Sequence, residues 1–150
     1  MAEATTDRLR VRLVTPERIL FEAEASAVEL PSKSGYMEVL YGHAPLMAEL
    51  GAGDVTIHGT GAAESDTSGM VRLNVSWGFV EVLPNRVTIL ASDALKPEEI
   101  DLQRAEQQLE RGLNLLKQAG ENIEASDEAQ RVVFEAEAKI ASASSADKAH

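Results

Sequence analysis

The sequence predicts an α+β protein in which the two kinds of structure are segregated along the chain. An antiparallel β-sandwich, or flattened barrel, is expected over residues 1–95, and an antiparallel two-helix hairpin over residues 96–142. Three observations carry this. Apolar residues recur with a period of two up to Ala91, and every three or four positions beyond Glu98. The two regimes meet once, at Leu95-Lys96-Pro97. A residue before proline is pushed into extended geometry, and proline suits a first helical turn, where no donor is missed. Finally, the apolar runs of the first half are short, regularly spaced and separated by Gly/Pro turns, the mark of a sandwich or barrel.

In chain order, Leu9, Val11 and Leu13 alternate with Arg8, Arg10 and Arg12, a strand with one wet face. Thr15-Pro16-Glu17 turns the chain into Ile19–Glu22, and Ala25–Leu30 follows up to Pro31-Ser32-Lys33-Ser34-Gly35. Met37 and Val39 alternate up to the turn Gly42-His43-Ala44-Pro45. Leu46–Leu50 and Val55–Ile57 are then expected as two strands separated by Gly51-Ala52-Gly53-Asp54. The polar stretch 59–69 reads as a hairpin connection. Val71, Leu73 and Val75 resume the alternation. Trp77–Val82 forms a further strand, in which Gly78 suggests a bulge or a close backbone approach. Leu83-Pro84-Asn85-Arg86 is a turn, and Val87–Ala91 closes the series. Short connections make every pairing antiparallel in this reading. The expected core is Leu9, Val11, Leu13, Phe21, Val28, Leu30, Met37, Val39, Leu50, Val55, Ile57, Leu73, Val75, Phe79, Val82, Val87 and Ile89.

Beyond Pro97, the acidic Glu98, Glu99 and Asp101 suit the positive end of a helix dipole. Leu102, Ala105, Leu109, Leu113 and Leu116 mark one helix face. Gly120 sits where a C-terminal cap belongs, and Ser126-Asp127-Glu128 restarts a helix with an N-cap. Ala129, Val132, Val133, Ala136 and Ile140 form the second stripe. Phe134 is the only aromatic of this half, so its core is thin and the hairpin is expected to depend on docking for its position. Residues 143–150 offer nothing to bury and are expected to be disordered.

Composition narrows the function. A net charge of −11 argues against a nucleic-acid binder, and the acidity is evenly spread, with thirteen acidic and seven basic groups in residues 1–95 and twelve and seven in 96–150. The absence of cysteine removes disulfides and thiolate metal sites. The start lacks a basic region followed by an apolar stretch, so no secretory signal is expected. No apolar run approaches the roughly 20 residues of a spanning helix, so direct membrane insertion is not expected. His43, His58 and His150 have no partner at helical metal spacing, and neither a nucleophile elbow nor a phosphate loop is present. The chain reads as a non-enzyme.

The ordered motifs resemble the epsilon subunit of bacterial F-type ATP synthases. They are Gly35-Tyr36-Met37-Glu38-Val39-Leu40-Tyr41-Gly42-His43-Ala44-Pro45-Leu46, Gly53-Asp54-Val55, Gly78-Phe79-Val80-Glu81-Val82, Asn85–Ala91 and Ile100-Asp101-Leu102-Gln103-Arg104-Ala105. The resemblance implies a central-stalk rotor subunit of the proton-translocating synthase. It would be peripheral on the cytoplasmic side of the cell inner membrane and would couple c-ring rotation to the catalytic head through the gamma subunit. It also implies a hairpin, swinging about a hinge at Lys96-Pro97, that reaches transiently to the alpha/beta head and inhibits ATP hydrolysis. The family-implied c-ring and gamma contacts are Gly35, Tyr36, Met37, Glu38, Tyr41, Gly42 and His43.

Two residues depart from the family pattern: Glu38 and Trp77 stand where glycines are usual. Trp77 is expected in the core or against gamma. The run Ile100, Asp101, Arg104, Ala105 matches the pattern by which some family members bind ATP, and Arg111, seven residues after Arg104 on the same helix face, could meet phosphate with it. The positions that align with further arginines of those relatives are Glu135 and Lys139, and a glutamate repels a triphosphate. Weak ATP binding at most is therefore implied, no other cofactor is expected, and Asp101 serves equally as an N-cap. The alternative function is a nucleotide-sensing module whose hairpin closes on ATP.

Overall fold

The computed structural model describes residues 8–60 and 69–148, the last four of these by backbone alone. Residues 1–7 and most of the polar connection after Gly59 lie outside the described part. The chain divides between Ala94 and Leu95 into two compact units.

The first unit is a seven-stranded sheet of order β2-β1-β7-β6-β5-β3-β4. Its strands are β1 (Leu9–Val14), β2 (Ile19–Ala25), β3 (Ala27–Ser32), β4 (Gly35–Leu40), β5 (Leu46–His58), β6 (Met70–Leu83) and β7 (Arg86–Leu95). Together the strands enclose one core. Leu9, Val11, Leu13, Val28, Leu30, Leu50, Val55, Ile57, Val75, Val87 and Ile89 are all essentially sealed from solvent. The alternation along β1 and β2 produces this directly, with apolar residues inward and Arg10, Arg12, Glu22 and Glu24 outward.

The sheet corrects the sequence reading in three ways. One pairing is parallel: β1 lies beside β7 with Arg10 opposite Arg86 and Val14 opposite Leu90. Only strands joined by a tight turn are obliged to run antiparallel, and β1 and β7 sit at opposite ends of the domain sequence. Secondly, Leu46–Leu50 and Val55–Ile57 belong to one strand, β5, and Val71–Val75 and Trp77–Val82 to another, β6. The two pair in one register from Leu46 with Val82 to His58 with Met70, interrupted only at Gly51 and Trp77.

Thirdly, these long strands change face part-way along. β6 buries Leu73 and Val75 before the change, and Val80 and Val82 after it. β5 changes in step, from Leu50 to Gly51, Gly53, Val55 and Ile57. The switch falls where Trp77 takes φ 59° and Gly78 φ 130°. Phe79, assigned to the core from its spacing, is therefore thrown outward, and Val80 takes its place inside. A β-carbon on Gly78 would collide with the Leu90 carbonyl oxygen of β7, the close backbone approach that a glycine within a strand suggests. Met37, also assigned to the core, is only partly buried against it.

In the second unit, Lys96 is extended (φ −68°, ψ 145°) as expected before proline. Pro97 opens a separate 3₁₀ turn, Pro97–Glu99, instead of the long helix itself. The Glu99 carboxylate accepts from the Lys96 backbone amide at 2.9 Å. Helix α1 runs Leu102–Ala119 and is capped by Asp101, whose Oδ1 accepts from the Arg104 amide at 3.1 Å. Gly120 follows with positive φ.

Helix α2 spans Ile123–Lys148. Its cap is Asn122, whose Oδ1 accepts from the Ala125 amide at 3.0 Å, so Ser126 lies inside the helix and does not cap it. The expectation of a disordered tail from 143 is likewise corrected, because α2 continues to Lys148. Alanine and serine dominate there, and extending a formed helix adds a hydrogen bond for each residue fixed. The helices meet on small residues, with Ala105, Gly112, Ala129 and Ala136 buried. At Gly112 an added β-carbon would lie 2.9 Å from Val133 Cγ2 and 3.0 Å from Val132 Cγ1. Gly112, one position before the Leu113 expected in the stripe, is thus a point of close approach, and Leu113 is rotated into solvent.

Candidate partner-binding surface

The stretch Gly35–His43 forms β4, an edge strand, and the turn that follows it. Met37 and Val39 point inward; Tyr36, Glu38 and Leu40 point outward and are exposed. Five steps of ~3.4 Å set Tyr36 and Tyr41 roughly 17 Å apart, so the expected contact residues split between two ends. At the far end the Gly42 amide donates to the Pro84 carbonyl at 2.7 Å, tying this turn to the β6–β7 turn. The half-buried His43 donates from Nδ1 to the Ala44 carbonyl oxygen at 2.7 Å and braces the turn. Gly42 has φ 90°, which only glycine adopts without strain.

At the near end Tyr36 is 64% exposed yet fixed. It lies opposite Pro31 of β3, and its phenol oxygen accepts from the Asp54 amide of β5 at 3.0 Å. Between Glu29 and Ser32 the β3–β5 ladder slips out of register, and Asp54 falls in that gap. The phenol takes the place of the missing strand acceptor. Gly53 lies beneath it, where a β-carbon would strike the phenol oxygen.

A second surface escaped the sequence reading. Ile19 lies opposite Val14, and Val14 opposite Leu90. The two-residue turn Pro84-Asn85 sets Leu83 against Arg86 and hence Phe79 against Leu90. Phe79 pairs with Glu49, and Met47 is its diagonal neighbour. The result is an apolar row across β2, β1, β7, β6 and β5, in which Leu90 is 50%, Phe79 51% and Met47 66% exposed. On the same face Arg10 stands beside Arg86, with Glu22 3.8 Å from Arg10 and 3.5 Å from Arg12. A contiguous outward apolar row rimmed by charge is the signature of a protein contact surface. The one available signal was the alternation itself, and the face change at Trp77 reversed its phase. Trp77, expected in the core or on a partner, is half-buried and holds a backbone conformation rare for a large side chain.

The residues singled out for nucleotide do not converge. Asp101 is engaged as a cap, Ala105 is buried in the helix seam, Ile100 is half-buried, and Arg104 and Arg111 are exposed on α1. Lys139 and Glu135 hold each other at 3.1 Å. Among the described residues no group of three or more His, Asp or Glu side chains could hold a metal ion. His58 instead donates from Nε2 to Glu29 at 2.7 Å.

The fold and this outward row define a β-sandwich domain with a surface suited to protein contact. Residues 8–97 match the family model described as the ATP synthase Delta/Epsilon chain β-sandwich domain. The ATP synthase epsilon chain of Koribacter versatilis is 38% identical over 76% of this chain and 75% of its own length. That of Solibacter usitatus is 36% identical over 91% and 96%. A chain of the Euglena gracilis mitochondrial ATP synthase shares the fold, with a TM-score of 0.72 at 19% identity, covering 90% of this chain and 81% of that one. The chain belongs to the ATP synthase epsilon chain family, a family of non-catalytic subunits.

Proposed function

We propose that this chain is the foot of a proton-driven synthase's rotor, binding the gamma subunit and resting on the c-ring so that rotation reaches the alpha/beta head. The observation that carries this is the outward row Ile19–Val14–Leu90–Phe79–Met47, exposed at every member but the half-buried Val14, which a lone protein would have reason to keep polar. In this reading gamma is its occupant. The edge strand β4 and its turn, Gly35–His43, would face the ring. Among the described residues no helix is long and apolar enough to cross a membrane, which suits attachment at the inner membrane's cytoplasmic side through these partners.

The hairpin supplies regulation in this reading. It is a separate compact unit that begins at Leu95, just before Lys96-Pro97, and Leu113, Ile123 and Phe134 leave apolar surface on it that a partner can cover. Coexpression with the gamma subunit tests the reading: a stable complex is expected, lost on Leu90→Glu without loss of strand content. A chain that remains free of gamma would overturn it.

A further inference from the structure

The chain has four methionines and no cysteine, so thioethers are the only sulfur that an oxidant can reach. Among the described residues, Met37 is partly buried against the core and Met70 is half-buried. Met47 differs from both, being 66% exposed. The β3–β5 ladder ends with Ser32 opposite Leu50, so among the described residues Met47 pairs with β6 alone. Its thioether is thus open to solvent in the free chain.

The neighbours of Met47 on that face are two carboxylates and a ring. Glu81 lies directly opposite and is exposed, Phe79 is the diagonal neighbour, and Glu49 is two residues along the strand. A thioether suits a place beside an aromatic ring. Its sulfoxide does not, because the added oxygen is a strong acceptor and ionised carboxylates only accept. Lys33, the cation at this end of β5, already lies 3.5 Å from Glu49. In the free chain water supplies the missing donor. Under a partner that water is lost, and a buried acceptor without a donor is costly.

We infer that Met47 is an oxidation site that decides whether the free chain can dock: the thioether seats the end of the apolar row, and the sulfoxide holds the row off its partner. The oxidant is a peroxide. The sulfur lone pair attacks one peroxide oxygen, an S–O bond forms as the O–O bond breaks, and the second oxygen leaves as water once the protons have moved to it. Sulfur loses two electrons and the peroxide gains them. The inference rests on the reading above, in which gamma covers this row, and adds a control on that docking. Assembly shields the sulfur, so the control acts on unassembled copies.

The test uses the full chain, hydrogen peroxide and isolated gamma. Peptide mass spectra taken through the reaction should show Met47 gaining one oxygen about fivefold faster than Met37 or Met70, or more. Kd of the oxidised chain for gamma should rise about 5- to 100-fold, the effect of one acceptor left without a donor, with far-UV ellipticity unchanged. Methionine sulfoxide reductases with a thiol reductant should reverse the rise. Each variant is compared with its own untreated Kd. Peroxide should leave that of Met47→Leu where it started, while Met37→Leu and Met70→Leu should respond as wild type does. Gamma bound beforehand should slow oxidation at Met47. If Met37 or Met70 oxidises first, if the Met47 sulfoxide binds gamma as tightly as the thioether, or if peroxide weakens Met47→Leu as much as wild type, the inference fails while the reading of the row stands. If untreated wild type stays free of gamma, or if bound gamma does not slow oxidation at Met47, the two fall together.

Discussion

Replacing Phe79 by alanine separates the two places its spacing and its structure assign it. A phenylalanine in the core costs ~3–5 kcal/mol of stability when cut to alanine. Phe79 is 51% exposed, so about half of that, roughly 2 kcal/mol, is expected from the fold. The exposed half is what a partner can cover. An aromatic side chain presents ~150–250 Å², which leaves roughly 100 Å² for the interface, worth about 2.5 kcal/mol at ~25 cal/mol per Å². Docking recovers only part of such an area term, so Kd for gamma should rise about 10- to 60-fold.

Val80, sealed from solvent one residue on, is the control. Val80→Ala should cost about 2 kcal/mol of stability through lost methyl burial and the cavity left behind, with no change in Kd. Stability is read by urea unfolding, followed by far-UV ellipticity and by the single tryptophan, Trp77; affinity by calorimetry against isolated gamma. A Phe79→Ala chain that loses 4 kcal/mol or more yet binds gamma as wild type does would return Phe79 to the core and remove the apolar row from the argument.

Other outcomes follow from the same geometry. Gly78→Ala drives a β-carbon into the Leu90 carbonyl at a φ suited to glycine, and should cost about 3 kcal/mol or more, read as a fall in Tm. Gly112→Leu forces α1 and α2 apart where they pack closely, and should remove ~1–3 kcal/mol from the hairpin, read as a loss of 222 nm ellipticity while the strand signal persists. Titrating ATP while following hairpin amides by NMR should give no saturable shifts at Arg104 or Arg111, since Asp101 is committed to capping and a glutamate, Glu135, stands at the aligned position. Deleting residues 97–150 should leave proton-driven synthesis intact and raise ATP hydrolysis; a truncated enzyme that cannot couple would refute the assigned division of labour.

The features read correctly from sequence are those in which a side chain's role depends on near neighbours. Alternating Leu9, Val11 and Leu13 made a half-wet strand, and Pro97 ended the sheet region and held Lys96 extended. Asp101 capped α1 because its partner amide is three residues away. The candidate contact residues were legible as a motif but not as a surface. Nothing local shows that Tyr36 reaches over β3 to an Asp54 amide orphaned by a register slip, or that Tyr41 lies at the opposite end of the strand.

Composition and periodicity alone determined a two-part chain, its strand-rich and helical regions, and most of the buried set. Tertiary structure decided the parallel β1–β7 pairing, the outward turn of Phe79 and the seam at Gly112. The reason is common to all three. Period-two and period-3.6 patterns fix which residues share a face, but a single left-handed residue such as Trp77 reverses the phase. Which face is then covered depends on strands and helices remote in sequence.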